Sequence, residues 1–240
     1  MLPKVDVPIY ELKLPSTGKS IRVRPFLVKE EKLLLMAVQS NEPEEIVKTT
    51  KQVINNCLID NDINIESLPF FDIDYLFIAL RAKSISEVIE MEFTCNNVVD
   101  DNNKCGHVFE ANIDISNCRI KKNDALPDTF DLGKIKVKMK YPTYSVMKEI
   151  DDRATALDNK IRIIVSCIDM VIDGNKVLTA KDYTKKELVE FVENLTEQNY
   201  KKLELFIDNF PYFVVDLEKT CSKCNFNHKL EYNDFTSFFR

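Results

Sequence analysis

The chain has 240 residues, of which 45% are hydrophobic and 30% charged, and its formal net charge is -6. This length allows one large domain or two small ones, with a core that folds without staples; the acidic balance argues against a broad nucleic-acid surface. The chain has only four glycines, which leaves little material for phosphate-cradling loops or flexible linkers.

The opening residues carry Asp6 and Glu11 where a signal peptide would need an apolar run, and no stretch approaches the roughly 20 apolar residues of a membrane span. The protein is therefore expected to be intracellular when made. In a reducing compartment an odd number of cysteines, here seven, points away from a disulfide framework and towards metal binding or burial.

Tyr10, Leu12 and Leu14 alternate with Glu11 and Lys13. After the turn "PSTGKS", Ile21 and Val23 alternate with Arg22 and Arg24, which predicts an N-terminal β-hairpin. "STGKS" has the ending of a phosphate-binding loop, but the position five residues before Gly18 is Lys13 rather than glycine. The segment that follows reads as a strand rather than a helix, so the turn reading holds. "VKEEKLLLMAV" and "EEIVKTTKQVINNCLI" have helical spacing, with Val47, Thr50, Ile54, Cys57 and Leu58 on one stripe of the second. "FFDIDYLFIALRAKS" is a third, strongly apolar helix, and Asp72 and Asp74 are assigned to a solvated face of it.

"SEVIEMEFTC" and "GHVFEANIDI" read as strands flanking a polar loop. "KIKVKMKY" alternates so regularly that it predicts a strand with one solvated face, whose lysines could meet phosphate but more often simply guard a sheet edge. Helical spacing is then read from about Tyr144 to Phe210. Within it Thr184 and Glu187 form a capping-box start before Leu188, Phe191, Val192 and Leu195, and a last helix groups Tyr200, Leu203 and Ile207 before Pro211. "YFVVDLEKTC" and "NHKLEYND" are again strand-like.

The chemistry is concentrated in the cysteines. "TCSKCNFNH" holds Cys221 and Cys224, half of a tetrahedral metal site. The partners are Cys95 and Cys105 in "FTCNNVVDDNNKCGH", separated by nine residues that are polar and turn-forming and can loop out. Each pair lies between strand-like segments. Each is followed by a residue that tolerates positive φ, Gly106 or Asn225, as a chain turning sharply around a thiolate requires. Two β-hairpins pinching one metal between their tips resemble a zinc ribbon. We therefore expect one structural zinc per chain on Cys95, Cys105, Cys221 and Cys224. Four thiolates close the coordination shell and leave no water to activate, which favours a structural over a catalytic metal. His107 and His228 are alternative ligands, or ordinary strand residues, or donors to the ligands. Cys57 and Cys167 read as buried apolar residues, and Cys118 has no matched mate. Two histidines are scant material for a nucleophilic triad, and no carboxylate pair is singled out by spacing.

The run "LPSTGKSIRVRPFLVKEEKLLLMA", residues 14 to 37, resembles the opening of the T4-type bacteriophage baseplate-hub assembly protein family, and the order of parts fits along most of the chain. The resemblance implies a non-enzymatic part in building the phage tail, as a chaperone-like factor or hub component. Its partners would be other baseplate-hub or tail proteins, with no small-molecule substrate. It would work in the host cytoplasm during assembly or stay in the tail baseplate. The resemblance transfers no catalytic residue, and the zinc expectation rests on the cysteines alone. The rival reading is a zinc-ribbon nucleic-acid-binding or transcription-related protein; the acidic, amide-rich "NNVVDDNNK" at one tip opposes it. A metal-dependent hydrolase would need an open coordination position.

The expected fold is α+β: an N-terminal hairpin (1–27), a helical region (28–86), and a zinc-ribbon-like β-module (87–142 plus 211–240) interrupted by a helical insertion (143–210). Phe235, Phe238 and Phe239 near the end of the chain either pack back on the core or form an apolar patch for a partner.

Overall fold

In a computed structural model, residues 6–60, 62–100 and 103–239 are described. The fold is α+β, as expected. Strands β1 (Tyr10–Lys13) and β2 (Ser20–Val23) form the antiparallel N-terminal hairpin. Gly18 takes φ +70° in its turn, and its N–H donates to the Leu14 carbonyl at 2.7 Å, so "STGKS" is a hairpin tip. Helices α1 (Val28–Gln39), α2 (Pro43–Cys57) and α3 (Phe70–Ser84) follow. Asp72 does not lie on a solvated face. It is fully buried and accepts hydrogen bonds from the Ser16 N–H at 2.9 Å and from the Ser16 hydroxyl, tying α3 to the β1–β2 turn. Asp74 is buried as well. A helix with Ile73, Leu76, Phe77 and Leu80 all buried has little room for a solvated face, so its polar groups must find partners inside.

Strand β3 (Val88–Thr94) leads to a small hairpin, β4 (Val98–Asp100) with β5 (Asn103–Lys104), and then to β6 (Val108–Asp114), which pairs antiparallel with β3. The looped-out insertion of the sequence is this small hairpin. Next come β7 (Arg119–Lys121), β8 (Thr129–Asp131), β9 (Ile135–Met139) and α4 (Ala156–Cys167). The segment expected to be helical then contains a hairpin of β10 (Ile168–Asp173) and β11 (Lys176–Thr179), turning at Gly174 with φ +57°. Helices α5 (Lys185–Glu193) and α6 (Glu197–Ile207) complete this stretch. Thr184 and Glu187 form the expected capping box on α5. Strands β12 (Tyr212–Thr220) and β13 (Asn227–Tyr232) follow.

The described residues fall into two compact units. The first draws on Met1–Ile65, Phe71–Lys121 and Tyr212–Arg240, the second on Glu66–Phe70 and Lys122–Pro211. In the second unit the sheet order is β11-β10-β9-β8. Strand β9 therefore lies inside the sheet, and its lysines guard no edge. Val137, Met139, Ile164, Ile168, Leu203 and Phe206 form the centre of this unit's core, where Phe206 stacks on Tyr141 at 5.3 Å. In the first unit a three-stranded sheet has the order β13-β12-β7. Phe238 is fully buried and meets Phe213 edge-on at 5.7 Å, while Phe239 stacks on Phe77 at 4.4 Å. These two aromatics pack back on the core and do not form a partner patch. The side chain of Phe235 lies outside the described residues.

Candidate metal centre

The four cysteines expected to hold a metal all lie in the first unit. Strands β3 and β6 place Cys95 and Cys105 at the tip of one hairpin, and β12 and β13 place Cys221 and Cys224 at the tip of another. The two tips have matching backbone geometry. The Gly106 N–H donates to the Cys95 carbonyl and the Asn225 N–H to the Cys221 carbonyl, each at 2.9 Å. Gly106 has φ +63° and Asn225 φ +57°, the left-handed conformation expected after each second cysteine. Behind each turn the strands rejoin, with Cys95 N–H donating to His107 O at 2.8 Å and Cys221 N–H to Phe226 O at 2.9 Å.

Among the described residues, the four thiol sulfurs form a set lying within 4.8 Å of one another. Cys95 and Cys224 are 3.6 Å apart and Cys105 and Cys221 are 4.0 Å apart. A disulfide would need about 2 Å. Four sulfurs around a tetrahedral ion at the usual zinc–sulfur distance of about 2.3 Å would be separated by about 3.8 Å. The donor set thus fits a tetrahedral, thiophilic cation in size and in chemistry. Cys95, Cys105 and Cys221 are buried and Cys224 is half-buried, and Phe109 packs against the cluster.

Such burial pushes the Cys95 thiol up to about 12, whereas the backbone N–H of Phe226 leads in holding Cys224 down to about 6. Bringing four thiolates together in a buried cluster needs a positive charge at their centre.

The histidines stand outside the set of four. His107 Nε2 lies 2.9 Å from the Ser222 hydroxyl, clasping one tip to the other. His228 is buried, and its Nε2 lies 3.2 Å from Cys95 Sγ. Asn97 Nδ2 approaches Cys224 Sγ at 3.6 Å, and Lys223 Nζ donates to the Cys105 carbonyl at 3.3 Å. Asn97 and Lys223 had no signal in the sequence, since neither type marks a metal site by spacing. Cys57 and Cys167 are fully buried in helical stripes, as their pattern implied. For Cys167 burial pushes the thiol up to about 12, so it is an inert apolar group.

The family model described as "T4 bacteriophage base plate protein" matches residues 7–240. A relative, "Baseplate hub assembly protein gp26" of Enterobacteria phage T4, is 27% identical over 233 residues, covering 96% of this chain and 97% of the relative. No solved structure matches.

Proposed function

The chain belongs to the T4 bacteriophage base plate protein family, and from that premise we propose that it acts in assembly of the phage baseplate hub. The observation that carries this reading is the extent of the likeness. The family match runs over residues 7–240, and the hub assembly relative aligns over 97% of its own length, so the likeness extends along nearly the whole of both chains. The role is non-enzymatic: the protein binds other hub or tail proteins and holds or orders them during assembly, in the host cytoplasm, with or without remaining in the tail. Both histidines lie at the cysteine cluster, one on Ser222 and one on Cys95, which leaves them poorly placed for proton transfer elsewhere. No helix among the described residues is long and apolar enough to cross a membrane.

The cysteine cluster is a structural zinc site with Cys95, Cys105, Cys221 and Cys224 as its four ligands. When bound, zinc supplies a charge-neutralising cross-link. The chain's own residues present the sulfurs from two hairpin tips and turn the backbone away behind them. A nucleic-acid role is less well supported. In the β7–β12–β13 sheet, Arg119 pairs with Asp216 at 2.9 Å and Lys121 with Glu231 at 2.5 Å, so those cations are engaged within the protein.

The test is removal of the gene from a phage encoding this chain. Infected cells should accumulate unassembled hub and no complete baseplates, and the wild-type chain supplied from a plasmid should restore them. Normal baseplates in its absence would reject the reading. Mass spectrometry of purified virions then decides whether the protein stays in the tail.

A further inference from the structure

We infer that His228 is a positioning residue of the metal centre, donating its Nε2–H to the Cys95 thiolate and thereby slowing loss of the ion. This rests on the zinc reading above and adds a fifth side chain to it. His228 is 3% exposed, lies on β13, and brings Nε2 to 3.2 Å from Cys95 Sγ. Its ring has two aromatic neighbours, Phe109 at 5.5 Å and Phe226 edge-on at 4.8 Å. The ring is buried with these aromatics beside it, so turning the nitrogen away from the sulfur would disturb those contacts.

The direction of the hydrogen bond follows from the partner. A metal-bound thiolate has no proton to give, so the nitrogen facing it must be the one that carries hydrogen. Charge supplies the reason for the contact. Four thiolates around a divalent ion leave about two negative charges in a site with apolar walls. Each N–H directed at a sulfur spreads that charge and makes the sulfur a poorer target for protons and electrophiles. Asn97 directs an N–H at Cys224 in the same way, with a longer contact of 3.6 Å. His228 is not itself a ligand, because the four thiols already complete a tetrahedral set and its nitrogen stands outside that set.

The experiment uses the full chain loaded with cobalt(II), which reports thiolate ligation through its visible spectrum. His228→Phe keeps ring volume and removes the donor; His228→Gln keeps an N–H at similar reach. The wild type should show the d–d bands of a four-sulfur site. His228→Phe should keep those bands, move the sulfur-to-cobalt charge-transfer band to lower energy, and surrender the ion to a chelator about 10-fold or more faster. His228→Gln should recover most of the difference. Equal spectra and equal release rates for wild type and His228→Phe would overturn the inference alone; a wild-type spectrum of three sulfurs and one nitrogen would also overturn it. A wild type that takes up no cobalt would remove the zinc reading and this inference together. Should the phenylalanine variant not fold, the cadmium-loaded wild type with nitrogen-labelled histidine decides. A Nε2 proton coupled to cadmium through sulfur supports the inference, and an unprotonated Nε2 rejects it.

Discussion

The sulfur of Cys95 lies 3.6 Å from that of Cys224, although 129 positions separate them in the chain. Residues 122–211, the main part of the second unit, lie between these two cysteines in the sequence. Closing so long a loop costs conformational entropy, and a metal cross-link would remove much of that cost by constraining the unfolded chain.

Replacing one ligand should therefore be felt by the first unit as a whole. Cys221→Ser is expected to release the ion and to destabilise the protein by about 3 kcal/mol, lowering Tm by roughly 6–12 °C. Chelator should lower Tm of the wild type by a similar amount and leave the variant nearly unchanged. Thermal melts of both proteins with and without chelator check this. Equal chelator sensitivity would count against a shared metal.

Phe238 anchors the last residues from inside the core, between Phe213 and Tyr232 at 5.7 Å each. Phe238→Ala should cost about 3–5 kcal/mol, the usual range for a large buried aromatic. Denaturant unfolding measures this directly. A change within about 0.5 kcal/mol, as at a surface position, would contradict the packing. Truncation after Asp234 would remove core as well as tail, so lost partner capture by such a chain would reflect stability rather than a missing anchor.

Glu30 at the start of α1 is buried, accepts from the Leu27 N–H at 2.7 Å, and pairs with Arg24 at 3.1 Å. Burial acts to raise its carboxyl, but the Arg24 guanidinium and the Leu27 N–H outweigh burial, and the group sits below its usual value. A depressed carboxylate stabilises the fold at pH above its unfolded value of about 4.3, and the contribution disappears as pH falls through the lower folded value. Glu30→Gln should cost about 2 kcal/mol at neutral pH. The cost stays moderate because Arg24 keeps the Pro25 and Asn56 carbonyls, both at 2.9 Å. The gap between wild type and variant should narrow as pH drops below about 4. A gap independent of pH from neutral to strongly acid conditions would show that the ion pair contributes nothing.

The sequence made the hairpin tips legible because their rules are local. Cysteine pairs, the left-handed residues Gly106 and Asn225, and flanking alternation all lie within a few positions of one another. It also showed the N-terminal hairpin and the capping box at Thr184. The hairpin of β10 and β11 was hidden by its neighbour. Helix α4 runs into β10 at Cys167 and Ile168 with no glycine or proline between them, and the apolar residues there fit either period. The Asp173–Gly174–Asn175 turn was the available signal. That β9 lies inside its sheet could not be read without β8 and β10, since edge and centre differ only in what pairs beside them. The burial of Asp72 depended on Ser16, which is 56 positions away.

The most direct test of the metal-centred account is native mass spectrometry of the full chain purified without chelators, together with quantification of its reactive thiols. About one zinc per chain is expected, with Cys95, Cys105, Cys221 and Cys224 protected from alkylation until chelator is added. A folded, metal-free chain whose four cysteines alkylate at once would contradict it.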